Sequence, residues 1–560
     1  MTAKRTADTG TSPAATTPAA SSADHGSAAA SSAASPATAS AEHPVALPER
    51  LREFLAGDPL ADVSGSGAPV EVRAPFSGEL LGTFAGCTAD DVAVRARAAR
   101  IAGRAWADRP VRERAAVVLR LHTLIRSHEE LVLDVIQAEN GKARLHAYDE
   151  VLDAYNVCRY TGVTAPRVLR ARSRRGAIPG LTTTRIDRSA LGVVGFISPW
   201  NYPLSLGATD LLAALVAGNA VVHKPDSATP LSSVLVRRLA IRAGLPADVW
   251  QLVPGEVAEV GESLLDHVDG LSFTGSTRAG RGIAAEAAAR LLPTVLELGG
   301  KNPMIVCADA DLDAAVVGAV RGSFSSSGQL CLSMERIYVV RPLYEEFCTR
   351  FAAATRALTL GAAFDHSAEV GTLSSAAQLD RVQEHIDDAV AAGARVLAGG
   401  RVRPDLGPFF FEPTVLVDVP ESARLCREET FGPVVAVSAV DSEDEAVLAA
   451  NDTPYGLNAS VFAGSRRHGM AVARRLETGM VNVDEAFAAA WGSIDAPSGG
   501  WKDSGLGHRH GPEGLLQFTR TRTIAHQALV PLAPGGRLSP ARFQQVMTGA
   551  LDVMRALRMG

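Results

Sequence analysis

Apolar and polar positions change their period along this chain, and the changes divide it. Over residues 1–43 large apolar side chains are almost absent, and Ala, Ser, Thr, Pro and Gly dominate. Such a segment cannot bury enough surface to offset the entropy of ordering it. A disordered tail is therefore expected, with the folded chain starting near Leu47. Residues 92–104 and 112–125 carry apolar side chains at helical spacing, as does the stretch 128–139. From Leu191 the period alternates. Residues 192–198, 220–223, 249–253, 270–274 and 294–298 read as short strands, with helices over 204–217, 231–243 and 277–289. Strands alternating with helices of this length predict a parallel, doubly wound sheet. Ligands on such sheets bind in the loops beyond the carboxyl ends of the strands. A second α/β region is expected to about residue 498. Residues 181–189 and 518–528 look like exposed strands without an evident neighbour. They suggest subunit contacts, because an open edge invites pairing.

At 560 residues the chain is too long for one core. It is 47% hydrophobic and 21% charged with a net charge of -6 and a pI near 6.1, which gives no reason to expect nucleic acid or an anionic membrane. No stretch approaches the roughly 18 apolar residues needed to span a bilayer. The six cysteines lie scattered with no CxxC pair, which argues against a disulfide framework or structural zinc and for a reducing compartment, the cytoplasm. Of 55 basic residues only five are lysines: Lys4, Lys142, Lys224, Lys301 and Lys502. Where arginine is so favoured, a surviving lysine points to a place that a guanidinium does not fit.

Candidate chemistry falls in the predicted loops. Cys331 follows Ser327-Gly328-Gln329-Leu330, and Glu297 opens Glu297-Leu298-Gly299-Gly300-Lys301. A thiol nucleophile and a carboxylate that activates water are the two parts of covalent acyl chemistry; the alternatives are a core thiol and a surface carboxylate. Asn201, in Pro199-Trp200-Asn201-Tyr202-Pro203, either caps the next helix or donates to a growing oxyanion. Lys224, before Pro225-Asp226-Ser227, can hold ribose hydroxyls or phosphate. Phe273-Thr274-Gly275-Ser276-Thr277 opens a helix whose free N–H groups suit a pyrophosphate. No GxGxxG fingerprint is present. Glu429 and Phe431, in Glu428-Glu429-Thr430-Phe431-Gly432-Pro433, suit a ribose and an aromatic ring, or form a charged turn. His508-Arg509-His510 lacks the company of further ligands and reads as a surface turn, not a metal site. Cys307 and Cys426 read as packing thiols.

Taken in order, PWNYPL, KPDS, FTGST, ELGGK, SGQLC, EETFGP and, after Asn482, GGWKDSGLG (residues 499–507) resemble the aldehyde dehydrogenase superfamily over about residues 44–530. Residues 323–339, 502–514 and the segment 529–560 are similar to its bacterial NADP-dependent succinic semialdehyde dehydrogenase branch. The resemblance implies an α/β fold with a doubly wound cofactor-binding domain (44–170 and 191–298), an α/β catalytic domain (299–498) and a small oligomerisation β-hairpin (171–190 and 517–530). A return segment (499–516) and a C-terminal extension (531–560) complete it.

It also implies a mechanism. Cys331 attacks an aldehyde as a thiolate, Asn201 and the Cys331 N–H hold the thiohemiacetal oxyanion, and Glu297 activates the water that clears the thioester. Trp200, Asn201, Lys224, Ser227, Gly275, Ser276, Leu298, Glu429 and Phe431 would hold the cofactor, while Lys301 and Lys502 are supports. NAD-using relatives often carry a glutamate where Ser227 stands; its absence beside Lys224 favours NADP, with NAD possible. The expected partners are a small aldehyde and other copies of the chain, in a homodimer or homotetramer.

Better-known succinic semialdehyde dehydrogenases hold the distal carboxylate with two arginines, at positions occupied here by Thr209 and Ser325. The substrate expected is succinic semialdehyde, the alternative an uncharged aliphatic or aromatic aldehyde. Two rival readings are a CoA-acylating enzyme, against which Glu297 speaks, and an inactive member acting as a binding protein, against which the intact Cys331, Glu297 and Asn201 speak.

Overall fold

Two parallel sheets organise the molecule, and both follow from runs of buried β-branched residues. The computed structural model describes residues 45–178, 181–529, 532–535 and 539–558, so the expected disordered tail lies outside the described residues. The first sheet has six strands in the order Gly505–Leu506, Thr294–Glu297, Gly270–Thr274, Val193–Ile197, Ala220–Lys224, Trp250–Leu252. All pair in parallel except Gly505–Leu506, which runs antiparallel to Thr294–Glu297. The strand order reverses between Val193–Ile197 and Gly270–Thr274, so the loops after these two strands splay apart and leave a crevice between them. Strand Ala220–Lys224 is buried at every position, as a sheet covered on both faces requires.

Helices lie where apolar periodicity places them, at Ala89–Asp108, Val111–Ser127, Glu129–Asn140, Leu231–Arg242 and Thr277–Ala289, and Ala89–Asp108 and Thr277–Ala289 pack on this sheet. Thr88 caps the first, its hydroxyl and the Asp91 carboxylate satisfying each other's backbone N–H groups. Two readings need correction. The expected helix over 204–217 is a π-helical stretch, Pro203–Thr209, followed by an α-helix, Leu212–Ala217. The Glu150 carboxylate receives the Leu204 and Ser205 N–H groups at 2.9 and 3.1 Å, and Asp210 at the break is drawn to Arg509, so distant side chains set the winding. Helix Val257–His267 was not anticipated.

The second sheet has seven strands in the order Arg395–Ala398, Thr414–Val417, Val434–Val440, Met334–Val340, Asn302–Val306, Ser460–Phe462, Asn482–Val483, parallel but for the first pair. The exposed strands also have neighbours after all. Thr182–Ala190 pairs antiparallel with Thr519–Gln527 over nine residue pairs and with Arg172–Arg175 on its other side. The apolar pattern alone shows no partner because more than three hundred residues separate the strands, whereas the family resemblance groups the two segments in one β-hairpin.

Candidate active site

Cys331 sits at the end of a backbone turn that few side chains tolerate. Ser326, Ser327 and Gly328 have φ values of 53°, 56° and 69°, three successive residues in the left-handed region. Gly328 has no alternative, since a Cβ there would lie 2.0 Å from the Gly432 carbonyl oxygen. Amide side chains fasten the turn. Asn302 Nδ2 donates to the Cys331 carbonyl at 2.7 Å and Asn458 Nδ2 to the Leu332 carbonyl at 3.1 Å. Ser327 Oγ donates to the Gly371 carbonyl at 3.0 Å. Asn201, buried on the loop after strand Val193–Ile197, donates through Nδ2 to the Gln329 carbonyl at 2.9 Å. Only one of its two amide hydrogens is used there. Its own carbonyl accepts from Lys142 Nζ at 2.7 Å, and Lys142 is ion-paired to the buried Glu150.

Glu297 ends strand Thr294–Glu297 and is buried, its Oε1 without a hydrogen-bond partner. Burial pushes its carboxyl up to about 8, with Arg509 pulling it down and Asp210 pushing it further up. Burial also pushes the half-buried Cys331 thiol up to about 12, against the pull of Arg509. At neutral pH the resting sulfur is thus a thiol, and the thiolate of the expected attack has to be generated at the site.

One cleft of about 680 Å³ gathers most of the expected residues: Trp200, Asn201, Gly275, Ser276, Glu297, Leu298, Cys331, Glu429 and Phe431 all line it. Trp200 and Phe431 meet edge to face with centroids 5.6 Å apart. Glu429 Oε1 accepts the Gly300 N–H at 2.8 Å, and burial raises its carboxyl to about 7. A Cβ at Gly299 would come within 2.5 Å of Glu429 Oε2, so any larger residue there would have to displace that carboxylate. The loop carrying Glu429 and Phe431 hangs on buried Glu335, which receives the Thr430 and Phe431 N–H groups at 2.8 and 2.9 Å and pairs with Lys301. Gln378 and Arg381 also line the cleft and bind the Phe431 and Glu429 carbonyls. No motif announced them.

Lys224 and Ser227 are not among the residues that line this cleft. Lys224 ends the neighbouring strand, buried; its carbonyl accepts the Ser198 N–H at 3.1 Å, and its Nζ makes no hydrogen bond or ion pair among the described residues, with Asp226 and Glu256 attracting it at longer range. Ser227 Oγ donates to the Gly255 carbonyl at 3.2 Å, and Asp226 Oδ1 accepts the Ala228 N–H at 2.9 Å. Ser276 caps helix Thr277–Ala289 through the Ala279 N–H.

A second cavity, about 720 Å³, reaches Cys331 from another direction and is walled by Leu152, Tyr202, Leu206, Leu330, Leu332, Phe487 and Trp491. Thr209 and Ser325 do not line it, and both are buried. The segment read as a surface turn is not one. Arg509 is buried, ion-paired to Asp210, with its guanidinium carbon 4.7 Å from the centre of the Trp491 ring. Together with Asp210 it forms the charged surroundings of Glu297. Cys307 does not simply pack: it approaches Glu443 and His468, whose ring nitrogens are held by Asp309 at 3.0 Å and Glu443 at 2.9 Å.

Comparison with known proteins agrees with this geometry. Residues 63–524 match the model of the aldehyde dehydrogenase family. A provisionally named NADP(+)-dependent succinate-semialdehyde dehydrogenase of Mycolicibacterium smegmatis is 46% identical over 91% of this chain and 98% of its own length. A protein of Mycobacterium tuberculosis (strain H37Rv) with the same kind of name is 48% identical over 82% of this chain and 89% of its own. Among solved structures, betaine aldehyde dehydrogenase from Staphylococcus aureus in complex with NAD+ superposes with a TM-score of 0.81 at 31% identity, covering 86% of this chain and 99% of that one.

Proposed function

The chain belongs to the aldehyde dehydrogenase family and oxidises an aldehyde to its acid, and from that premise we propose that the aldehyde is succinic semialdehyde and the oxidant NADP. The observation that carries the chemistry is the single cleft in which Cys331, Glu297 and Asn201 meet Glu429 and Phe431. The residues fit a dinucleotide. The crevice lies at the strand-order reversal, the first N–H groups of the helix that Ser276 caps have no partner among the described residues, and Lys224 is a buried cation in no ion pair, attracted at longer range by Asp226 and Glu256. Glu429 would take the ribose next to the nicotinamide, Phe431 and Trp200 would wall the ring, and Lys224 would face the adenosine ribose. Gly275, Ser276 and Leu298 would line the path between. Ser227 itself carries no charge against a 2'-phosphate, its hydroxyl donating to the Gly255 carbonyl, while the neighbouring Asp226 carboxylate accepts the Ala228 N–H and keeps its charge. When bound, this cofactor supplies the acceptor of the aldehyde's hydride.

The protein's own groups do the rest. Cys331 Sγ bonds to the carbonyl carbon and gives up its proton. The free amide hydrogen of Asn201 and the Cys331 N–H, which has no carbonyl partner among the described residues, receive the oxyanion. Glu297, with one carboxyl oxygen unpartnered, takes a proton from the water that cleaves the thioester. Residues 44–170 and 191–298 are assigned to the cofactor and 299–498 to the nucleophile. Lys301 and Lys502 serve as supports, Lys502 through the Asn451 carbonyl at 3.0 Å and Glu477 at 2.8 Å.

The substrate assignment is supported by the names of the relatives. The apolar walls of the second cavity favour the other reading, an uncharged aldehyde. Absorbance of the reduced cofactor decides between them. Succinic semialdehyde with NADP should give a kcat/KM well above that of butanal, and above that with NAD. Faster turnover of butanal would sink the substrate proposal, and faster turnover with NAD the cofactor proposal. We further assign the enzyme to the cytoplasm, in line with six free cysteines, and to a homodimer or homotetramer.

A further inference from the structure

The arginines that would ordinarily hold a distal carboxylate are absent, so a carboxylate anchor has to be sought in the cavity itself. Its lining near Cys331 is apolar, and Arg321 is the one cationic side chain among the described residues that form it. Arg321 lies on helix Leu312–Phe324, which feeds directly into the strained turn before the nucleophile. Its guanidinium carbon is 5.2 Å from the centre of the Phe487 ring, and Nη1 contacts the two Glu485 carboxylate oxygens at 3.2 and 3.4 Å. Nε and Nη2 have no partner among the described residues, and the side chain is 44% exposed. A planar fork held by one nitrogen and steadied on an aromatic face offers its remaining N–H edge to a carboxylate.

Two aspartates share the cavity. Asp153 accepts from Ser205, and burial pushes both Asp149 and Asp153 towards their neutral forms, while Arg321 pulls Asp149 back. Arg509, close to the Trp491 ring, is committed to Asp210 and is not among the lining residues.

We propose that Arg321 is the specificity-determining residue of this cavity, binding the distal carboxylate of a short ω-carboxy aldehyde whose carbonyl end is delivered to Cys331. This rests on the succinic semialdehyde reading above. The test is steady-state kinetics of the wild type, Arg321→Ala and Arg321→Lys with succinic semialdehyde and with butanal, which has the same carbon chain without the carboxylate. Arg321→Ala should raise KM for succinic semialdehyde about tenfold to a hundredfold, the loss of a charge-assisted hydrogen bond, with kcat little changed. KM for butanal should stay put, and Arg321→Lys should recover part of the loss. Succinate should inhibit butanal oxidation in the wild type and fail to do so in Arg321→Ala. An equal rise for both aldehydes, or no rise for succinic semialdehyde, would overturn the assignment. A wild type that prefers butanal would instead overturn the substrate reading on which it rests.

Discussion

Glu297 shows how burial sets chemistry at one residue. An ordinary glutamate is ionised well below neutrality, but here loss of solvent raises the carboxyl to about 8. Only the ionised form can take a proton from water, so thioester hydrolysis should slow as pH falls through about 8 and level off above it. Stability should run the other way. The folded state holds the proton more tightly than the unfolded chain, so its contribution is complete below about 4.5 and is lost as pH rises through about 8. Glu297→Gln, which cannot ionise, should therefore lose turnover and melt higher than the wild type above that pH, the difference shrinking in acid. Thermal melts across the range check the second half. A Glu297→Gln protein that melts lower at every pH would show that the carboxylate is not held at such a cost.

At the scale of elements, the Arg509–Asp210 pair ties the return segment to the break between helices Pro203–Thr209 and Leu212–Ala217. Arg509→Ala leaves the largely buried Asp210 (side chain 15% exposed) without a partner and should cost about 3–5 kcal/mol, whereas replacing both by apolar side chains of similar size should recover most of it. Chemical denaturation measures both. A loss below about 1 kcal/mol for the single variant would mean that water reaches Asp210. This pair also marks the limit of what the sequence revealed. Strands such as Ala220–Lys224 and helices such as Thr277–Ala289 were legible because their own apolar period encodes them. Arg509 read as surface because its partner lies 299 residues away, and the π-helical winding because Glu150 imposes it from another helix. Short motifs singled out Cys331, Glu297 and Asn201, which line one cleft, yet no motif pointed to the turn strain at Ser326 and Ser327 or to the cleft residues Gln378 and Arg381. Those depend on which loops the fold brings together.

For the whole molecule, the three-stranded sheet carries the expectation of assembly. Strand Thr519–Gln527 lies at the end of this sheet, paired with Thr182–Ala190 and with no second strand beside it among the described residues, and it exposes Ile524 at 47%. An edge strand of this kind is a template for a further strand. Light scattering should give a dimer or tetramer, and Ile524→Asp should shift it towards the 58.5 kDa monomer. A wild type that is monomeric at micromolar concentration would contradict the assembly. No helix of the described residues is long and apolar enough to cross a membrane.

The central claim is that Cys331 carries the acyl group and Glu297 clears it. Mass spectrometry of Glu297→Gln after incubation with NADP and succinic semialdehyde tests it most directly. The expected result is a protein heavier by one succinyl group, located on the peptide containing Cys331 and absent from Cys331→Ala. An unmodified Cys331 together with undiminished acid production, or an adduct on another cysteine, would contradict the account.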